Sequence, residues 1–406
     1  METRYLISTE VPFPISTEIR FLISTEVAGS GRVGDGFDMD EHLSWEVVVR
    51  FAFTEEQDEL RGVVRRLLDR RGGPEVREPD VVADGFDREV WAQLAEQVGA
   101  HSLGIPEEFG GGGFSLLETL IVVEELGRRL SDIPFLGSAV LASEAVLATG
   151  DRAACERLLP GIASGEQVVS LAWAEPETGW ARGGFRTTAR SDGDAWLLDG
   201  RKVHVLDGAQ ADTVLVLATT DGRPALFELA EPEATATTPL DLTRRMAEIH
   251  LRNAPARLLG APPVQRIVDV AAAALAAESV GAAQRWLQET VEYTKMRTQF
   301  GRPIGSFQAL KHRLADCYAA VESARSLSYA ASWSVSTRDE RASELAAMAK
   351  SACTEAYYAI AAEGVQLHGG IGITWEHEAH LHLKRAHSAI QLFGTPSTHR
   401  AKLLTA

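Results

Sequence analysis

The stretch VAAAALAAESVGAA, residues 270–283, decides the architecture expected for this chain. Glu278 and Ser279 carry its only polar side chains, so a helix through it would be apolar on almost every side. Such a helix is stable when other elements of a protein enclose it. We therefore predict that a helix over 266–299 belongs to a bundle of long helices.

The residues that follow supply the other members of the bundle. Apolar periodicity predicts three further long helices, at 308–335, 341–367 and 379–392. Long antiparallel helices with short links pack as a bundle. Residues 263–406 are therefore predicted to form a C-terminal four-helix domain.

Upstream of the bundle the apolar period falls to two, which is typical of strands. Residues 166–262 contain VVSLAWAE, FRTTARSDGDAWLLDGRKVHVL, TVLVLATT and PALFELA, joined by Asp-Gly turns. Asp-Gly between alternating segments is a strong hairpin signal. This region is predicted to form a central β-barrel or β-sandwich domain.

Residues 49–165 are helical in pattern, with predicted helices at 87–100, 115–130 and 136–148. Thr54 and Gln57 form a capping box that starts an earlier helix. The fold class is therefore α+β, with an N-terminal helical domain, a β domain and a C-terminal bundle.

Residues 1–48 are treated as a non-core extension, either disordered or wrongly started. The tetrapeptide ISTE recurs in it at 7–10, 15–18 and 23–26, a period of eight. The repeat is a small β-arm or a translated DNA repeat upstream of the true start. The second is favoured because ordinary protein sequence begins abruptly at 49. A G-x-G-x-x-G match at 29–34 is taken as accidental, because no helix start follows it.

Composition narrows the classes of partner. A net charge of −17 makes nucleic acid an unsuitable partner, since phosphate binding needs clustered cations. No apolar run approaches the roughly 20 residues of a membrane span. Cys155, Cys317 and Cys353 are widely separated, which suits a reducing cytoplasm and gives neither a disulfide framework nor zinc spacing. We expect a cytoplasmic protein.

Three motifs carry a family resemblance. RTQFGRPIGSFQ, residues 297–308, resembles the signature of acyl-CoA dehydrogenases, as do IPEEFGGGG at 105–113 and QLHGGIG at 366–372. The sequences of the segments after 297 and 369 are most similar to those of bacterial subfamilies that act on bulky or branched CoA esters, including sterol side chains. Several of those subfamilies assemble from unlike subunits.

The resemblance implies an FAD-dependent oxidoreductase that desaturates an acyl-CoA thioester in fatty acid or steroid side-chain degradation. The family removes a proton beside the thioester and passes the neighbouring hydride to flavin N5. It further implies an electron-transfer flavoprotein as a partner. The family's FAD site implies at least a dimer, so a homo- or hetero-oligomer, as a dimer of dimers, is expected.

The same resemblance implies the residues that bind FAD. Arg297 contacts the pyrophosphate across a subunit interface, where its guanidinium can donate two parallel hydrogen bonds. Glycines let the adenosine half of the cofactor approach the backbone. The implied set is Arg297, Gln299, Phe300, Ile304, Gln308, Gln366, Gly369, Gly370, Thr395 and Ser397.

The β domain departs from the family pattern. Ala174, Trp180 and Leu206 stand where the family has hydroxyl side chains near the flavin ring, and His204 replaces an aromatic residue. Losing these hydrogen bonds should weaken the orientation of the ring without abolishing binding, because the pyrophosphate and adenosine contacts are separate.

The general base is missing from both positions that the resemblance implies, which are Phe393 and Ala271 here. Glu278 follows Ala271 by two helical turns and therefore faces the same way. Its apolar sequence neighbours would raise its pKa, which suits a base. The alternative is that Glu278 pairs with an arginine at a subunit interface. Glu175 is a weaker candidate, because that position is structural in the family.

No metal site is predicted. Three histidines and two carboxylates lie close together in the sequence, but their spacing fits no standard ligand set. They are His377, His380, His382, Glu376 and Glu378.

Three functions remain open at this point. The chain is an active acyl-CoA dehydrogenase with an unusual base, or a subunit without a base that completes the FAD site of a catalytic partner. It could also be a relative that oxidises a substrate other than a CoA ester.

Overall fold

The computed structural model describes residues 53–71, 85–193, 195–229 and 232–404. The predicted extension 1–48 lies outside these residues. Thr54 and Gln57 exchange backbone-to-side-chain hydrogen bonds of 3.0 and 3.3 Å, so the predicted capping box is confirmed. The N-terminal helices are α1 (Glu55–Arg71), α2 (Arg88–Gln93), α3 (Leu116–Arg128), α4 (Ser143–Thr149) and α5 (Arg152–Ala163).

Two of the predicted N-terminal helices are less regular than expected. The helix predicted at 87–100 changes to a π-helix at Leu94–Val98, and the one predicted near 136–148 starts as a π-helix at Leu136–Ala142. Gly99 ends the first of them because its φ of 68° lies in the left-handed region that glycine adopts without strain. Helix α5 was not predicted.

The β region is one seven-stranded sheet. Its strands are β1 (Val169–Ala172), β2 (Thr188–Asp192), β3 (Ala195–Leu206), β4 (Thr213–Thr220), β5 (Arg223–Leu229), β6 (Ala234–Thr237) and β7 (Met246–Gly260). The order β1-β4-β2-β3-β7-β5 closes on itself because β5 also pairs with β4. The expectation of a barrel is therefore met, although β6 and the 15-residue β7 were not foreseen.

The C-terminal bundle agrees with the predicted helices within a few residues. Its elements are α6 (Val264–Met296), the hairpin β8 (Thr298–Gln299) and β9 (Arg302–Pro303), α7 (Gln308–Thr337), α8 (Ala342–His368), α9 (Ala379–Gln391) and α10 (Pro396–Leu403). Helix α6 is long and apolar enough to cross a membrane, which the sequence analysis overlooked. However, 94% of its apolar window is buried inside the protein, as expected for a core helix.

Helices α3 and α6 cross in backbone contact, and two glycines make this possible. A Cβ atom added at Gly281 would lie 1.9 Å from the carbonyl oxygen of Glu124, and one added at Gly127 would lie 2.2 Å from that of Glu278. This crossing seats the N-terminal helices on the bundle and fixes the depth at which Glu278 lies.

We predict that Gly281→Ala lowers the free energy of unfolding by about 1–3 kcal/mol, the usual range for overpacking a core. This cost should exceed the gain of up to about 1 kcal/mol that alanine brings to a helix interior. Chemical denaturation followed by circular dichroism measures it. The matched control is Gly62→Ala in α1, where the nearest atom is the mobile end of Arg66. Equal effects at both positions would contradict a tight crossing.

Candidate active site

Phe393 lies at the end of α9 and is closed off from solvent. Its ring packs 4.5 Å from that of Trp180 and 5.6 Å from that of Trp173, measured between ring centroids, and only 4% of the residue is exposed. Its φ of 54° is unusual for a residue with a Cβ atom. The position where the resemblance places a glutamate is therefore an aromatic contact.

His399 of α10 holds the backbone at this point. Burial lowers the pKa of His399 to about 4, so its ring is neutral at physiological pH. Its Nε2 atom lies 3.0 Å from the carbonyl oxygen of Phe393, to which it donates a hydrogen bond. Thr395 caps the same helix by accepting from the backbone nitrogen of Thr398.

Ala271 belongs to the same buried apolar cluster as Phe393, together with Trp173 and Leu206. It is fully buried in α6. The two positions where the resemblance implies a base therefore lie in one apolar cluster. In this chain both positions are occupied by side chains that cannot accept a proton.

Glu175 and Lys202 form an ion pair beneath Trp173. The Nζ atom of Lys202 donates to Glu175 at 2.8 Å and to the carbonyl oxygen of Trp173 at 3.0 Å. Although burial opposes ionisation, the hydrogen bond and charge of Lys202 hold the pKa of Glu175 at about 2. Glu175 also accepts from two backbone nitrogens, those of Arg186 and Thr187. A carboxylate so fully engaged is structural, and it positions Trp173.

Glu278 is buried as expected, but arginines surround its carboxylate instead of apolar groups, and these arginines belong to the same chain. One of its oxygens accepts from Arg244 at 2.5 Å and the other accepts from Arg385 at 2.9 Å. Asp241 shares Arg385 at 2.8 Å. Arg244 comes from the loop between β6 and β7 and Arg385 comes from α9, so both approach α6 only in the folded chain. The role of Glu278 as a base stays a prediction, but its geometry is that of a buried ion pair.

A cleft opens beside this ion pair, between the N-terminal helices, the end of β3 and the bundle. Its apolar wall includes Val123, Leu126, Phe135 and Leu136, and its polar side is lined by Asp207, Thr243, Arg244, Glu278 and Arg385. Burial raises the pKa of Asp207 to about 7, against the opposing charges of Arg245 and Arg244. In the sequence, Asp207 is recognisable only as part of an Asp-Gly turn, which gives no sign of this environment.

The predicted FAD residues lie on three segments of the chain. Arg297, Gln299 and Phe300 are exposed at the β8–β9 hairpin, with Ile304 partly buried and Gln308 exposed just beyond it. Gln366, Gly369 and Gly370 are exposed at the end of α8.

These two segments meet at the same end of the bundle. Tyr293 of α6 stacks on His368 of α8 with ring centroids 4.2 Å apart and donates to its carbonyl oxygen at 3.3 Å. Thr395 and Ser397 lie instead beside Phe393. Within the described ranges no hydrogen bond or ring contact joins them to the hairpin.

Four residues occupy the positions that the resemblance places near the flavin ring. Ala174 and Leu206 are buried, and Trp180 packs on Phe393. His204 is exposed at a bulge of β3, with a φ of 53°. None of these four side chains offers a hydroxyl group.

The histidine-rich tract contributes to one group that could hold a metal ion. Glu289, Glu378 and His382 bring their ligand atoms within 4.8 Å of one another. Glu289 is already paired with Arg285 at 2.5 Å, and His382 contacts the hydroxyl of Tyr357. The group has no sequence signal, because Glu289 lies in α6, whereas Glu378 and His382 lie at the start of α9.

We predict that Glu278→Gln lowers the free energy of unfolding by about 3 kcal/mol, because it removes one partner of a buried charge network. Denaturation curves of the two proteins measure the difference. Glu344→Gln breaks an exposed pair with Arg341 and should leave stability unchanged. If Glu278→Gln left stability unchanged and abolished only catalysis, the result would instead support Glu278 as the base.

The raised pKa of Asp207 predicts a pH-dependent stability. Between the ordinary aspartate pKa and about 7 the folded chain binds the proton more tightly than the unfolded chain. The stabilisation is therefore complete at acidic pH and lost as pH rises through about 7. Asp207→Asn should stabilise the protein more at pH near 8 than near 5, measured by denaturation at each pH. A pH-independent difference would contradict the shift.

Comparisons with known proteins identify the family of this chain. The family description "Acyl-CoA dehydrogenase, N-terminal domain" matches residues 54–166, and "Acyl-CoA dehydrogenase, C-terminal domain" matches residues 260–405. Acyl-CoA dehydrogenase IpdE2 of Mycobacterium tuberculosis is 40% identical over 345 residues, which cover 84% of this chain and 94% of that protein.

Two further relatives come from the same organism. Acyl-CoA dehydrogenase FadE27 is 32% identical, over 81% of this chain and 91% of that protein. The crystal structure of the ChsE4-ChsE5 complex matches with a TM-score of 0.80 and 30% identity, over 87% of this chain and 98% of that one. The chain therefore belongs to the acyl-CoA dehydrogenase family of FAD-binding flavoprotein oxidoreductases.

Proposed function

We propose that this chain is one subunit of a mixed oligomer that desaturates an acyl-CoA thioester, and that an unlike, glutamate-bearing subunit supplies the base. The burial of Phe393 between Trp173 and Trp180 carries the proposal. A base must reach the substrate proton within hydrogen-bond distance. Neither family position offers a proton acceptor here.

Glu278 is a poor substitute for the missing base. Both of its oxygens accept hydrogen bonds from guanidinium groups, and Arg385 itself is held by Asp241 and Thr243. Taking up a proton would break a charge pair in a buried site, which is costly. The competing proposal, an enzyme active alone through Glu278, would need this network to open.

The hairpin end of the bundle fits the phosphate and adenosine half of FAD. No described residue pairs with the guanidinium of Arg297, so it is available to a phosphate. Phe300 is 92% exposed, an apolar side chain that an assembly would cover. A Cβ atom at Gly369 or Gly370 would meet nothing within 4 Å, so the backbone there is open to a ligand.

This chain offers few side chains that could hydrogen-bond the flavin ring of the cofactor. When bound, FAD supplies the hydride acceptor of the family's reaction. Ala174 and Leu206 can bound an apolar surface for the ring but cannot donate hydrogen bonds to it. Trp173 and Phe393 exclude water from the neighbouring region. Orientation of the ring would thus depend on another subunit.

The separation of the predicted FAD residues also supports a shared site. Arg297 and Gly369 lie at one end of the bundle, whereas Thr395 and Ser397 lie beside Phe393. A single FAD that touched all of them would need residues from two chains. The relative ChsE4-ChsE5 is itself a complex of two chains. We propose the same kind of pairing here, with an electron-transfer flavoprotein as acceptor and the cytoplasm as compartment.

The test compares the chain expressed alone with the chain co-expressed with a glutamate-bearing family member that co-purifies with it. Anaerobic addition of an acyl-CoA panel should bleach the flavin band at about 450 nm only in the mixed oligomer. Bleaching by the chain alone would overturn the proposal and favour the stand-alone enzyme. Glu278→Gln would then decide whether that carboxylate is the base.

Arg297→Ala in this subunit should lower the flavin content of the mixed oligomer about tenfold, because a charge-assisted phosphate contact is lost. Flavin absorbance per assembled protein measures it. Lys295→Ala is the control, since it removes the same charge from a neighbouring position, where Lys295 already pairs with Glu292. Equal losses in the two variants would contradict a specific contact.

A further inference from the structure

We infer that the cleft beside Glu278 binds the neutral, carbonyl-bearing end of an apolar ligand, with the side chain of Asp207 as its hydrogen-bond donor. The inference deepens the proposed function and rests on it only for the other end of the ligand, the CoA thioester. It names the class of acyl group that the site would take, which is a ring or chain with a keto group far from the thioester.

Asp207 is the feature of the cleft that calls for a ligand. The residue is only 8% exposed, and its side chain lines the cleft. Within the described ranges no group donates a hydrogen bond to its carboxyl, and no cation pairs with it within 4 Å. Buried polar groups are normally hydrogen-bonded. A ligand atom in the cleft would supply the missing partner.

The paired charges around the cleft leave no cation for an anionic ligand. Arg244 and Arg385 face Glu278 and Asp241, two cations against two anions. Arg245 is paired with Asp132 at 3.0 Å. Among the described residues that line the cleft, no cation is left over to receive a carboxylate. A neutral ligand leaves this balance intact.

When Asp207 is protonated, it can donate a hydrogen bond, so it favours a ligand with a hydrogen-bond acceptor. Burial raises the pKa of Asp207 to about 7; Arg245, Arg244 and Arg385 oppose this shift, and Asp132 adds to it. The acid is therefore largely protonated in mildly acidic solution and can donate to a carbonyl oxygen. The opposite wall of the cleft is apolar, which suits the carbon skeleton that carries the carbonyl.

The position of the cleft links it to the reaction site. Leu206 lines the cleft and also belongs to the apolar cluster that contains Ala271 and Phe393. Leu136 lines the cleft and packs against the same cluster. A ligand whose reactive carbon lay near those two base positions would reach the cleft with the part remote from the thioester.

Binding of cyclohexanone to the full chain, followed by ligand-observed NMR, tests the inference without CoA. Asp207→Gly removes the acid and suits the φ of 53° at this position. It should weaken binding about tenfold, the equivalent of one hydrogen bond. Asp207→Asn keeps an N–H donor and tolerates the same φ, so it should bind within about threefold of the parent chain. Thermal unfolding of both variants confirms that they fold.

The pH profile separates a donor from a merely structural aspartate. Affinity for cyclohexanone should fall as pH rises through about 7 in the parent chain, because ionised Asp207 cannot donate. It should be flat in the Asp207→Asn variant. Binding that ignores both substitutions and pH would overturn the inference.

A second arm separates the inference from the proposed function. The mixed oligomer is titrated with octanoyl-CoA and 7-oxooctanoyl-CoA, and the oxo ester should bind about tenfold more tightly in an Asp207-dependent way. Equal binding of the two esters overturns the inference and leaves the proposed function standing. Asp207-dependent ketone binding with no binding of either ester supports the inference and overturns the proposed function.

Discussion

The buried guanidinium of Arg385 is the interaction on which the rest of this structure depends. It comes from α9, pairs with the charges of Asp241 and Glu278, and donates to Thr243, so it ties together the end of the barrel, the central helix and the last long helix. The desolvation cost of a buried charge is offset only when charged and hydrogen-bonding partners are well placed. Any shift of α9 relative to α6 would break several of these contacts together. The network therefore fixes where α9 ends, and Phe393 follows immediately after that end.

This constraint fixes the backbone at Phe393, the position where the family resemblance implies a glutamate. The backbone at Phe393 is held by His399 and by the preceding helix, so the side chain is delivered to the same region whatever its type. An aromatic ring there gains apolar contacts with Trp173 and Trp180. A glutamate would instead need water or substrate nearby to satisfy it. The fold thus supports either residue, and the aromatic choice favours packing over proton transfer.

The sequence predicted the elements whose signals are local. Apolar periodicity located the long helices within a few residues, and the capping box placed the start of α1. It did not predict β7, whose burial alternates irregularly, or the π-helical turns. The partners of Glu278 lie 34 and 107 residues away, so no window of sequence could reveal them. Asp207 was missed for the same reason: its raised pKa comes from burial by distant elements, and a turn motif gives no sign of that.

Under the proposed function, the two groups of predicted FAD residues would let the chain contact a cofactor without supplying a base. The hairpin with Arg297 and the glycines at 369–370 depend on the ends of α6 and α8, joined by Tyr293 and His368. The region of Phe393 depends on α9, α10 and the barrel. Substitutions in the second region need not disturb the first, because separate contacts hold each in place. If a partner subunit performs proton transfer, only the hairpin end needs to stay complementary to a cofactor. In that case the aromatic packing around Phe393 and the open backbone at Gly369 have one explanation: this chain contacts the cofactor and the partner subunit transfers the proton.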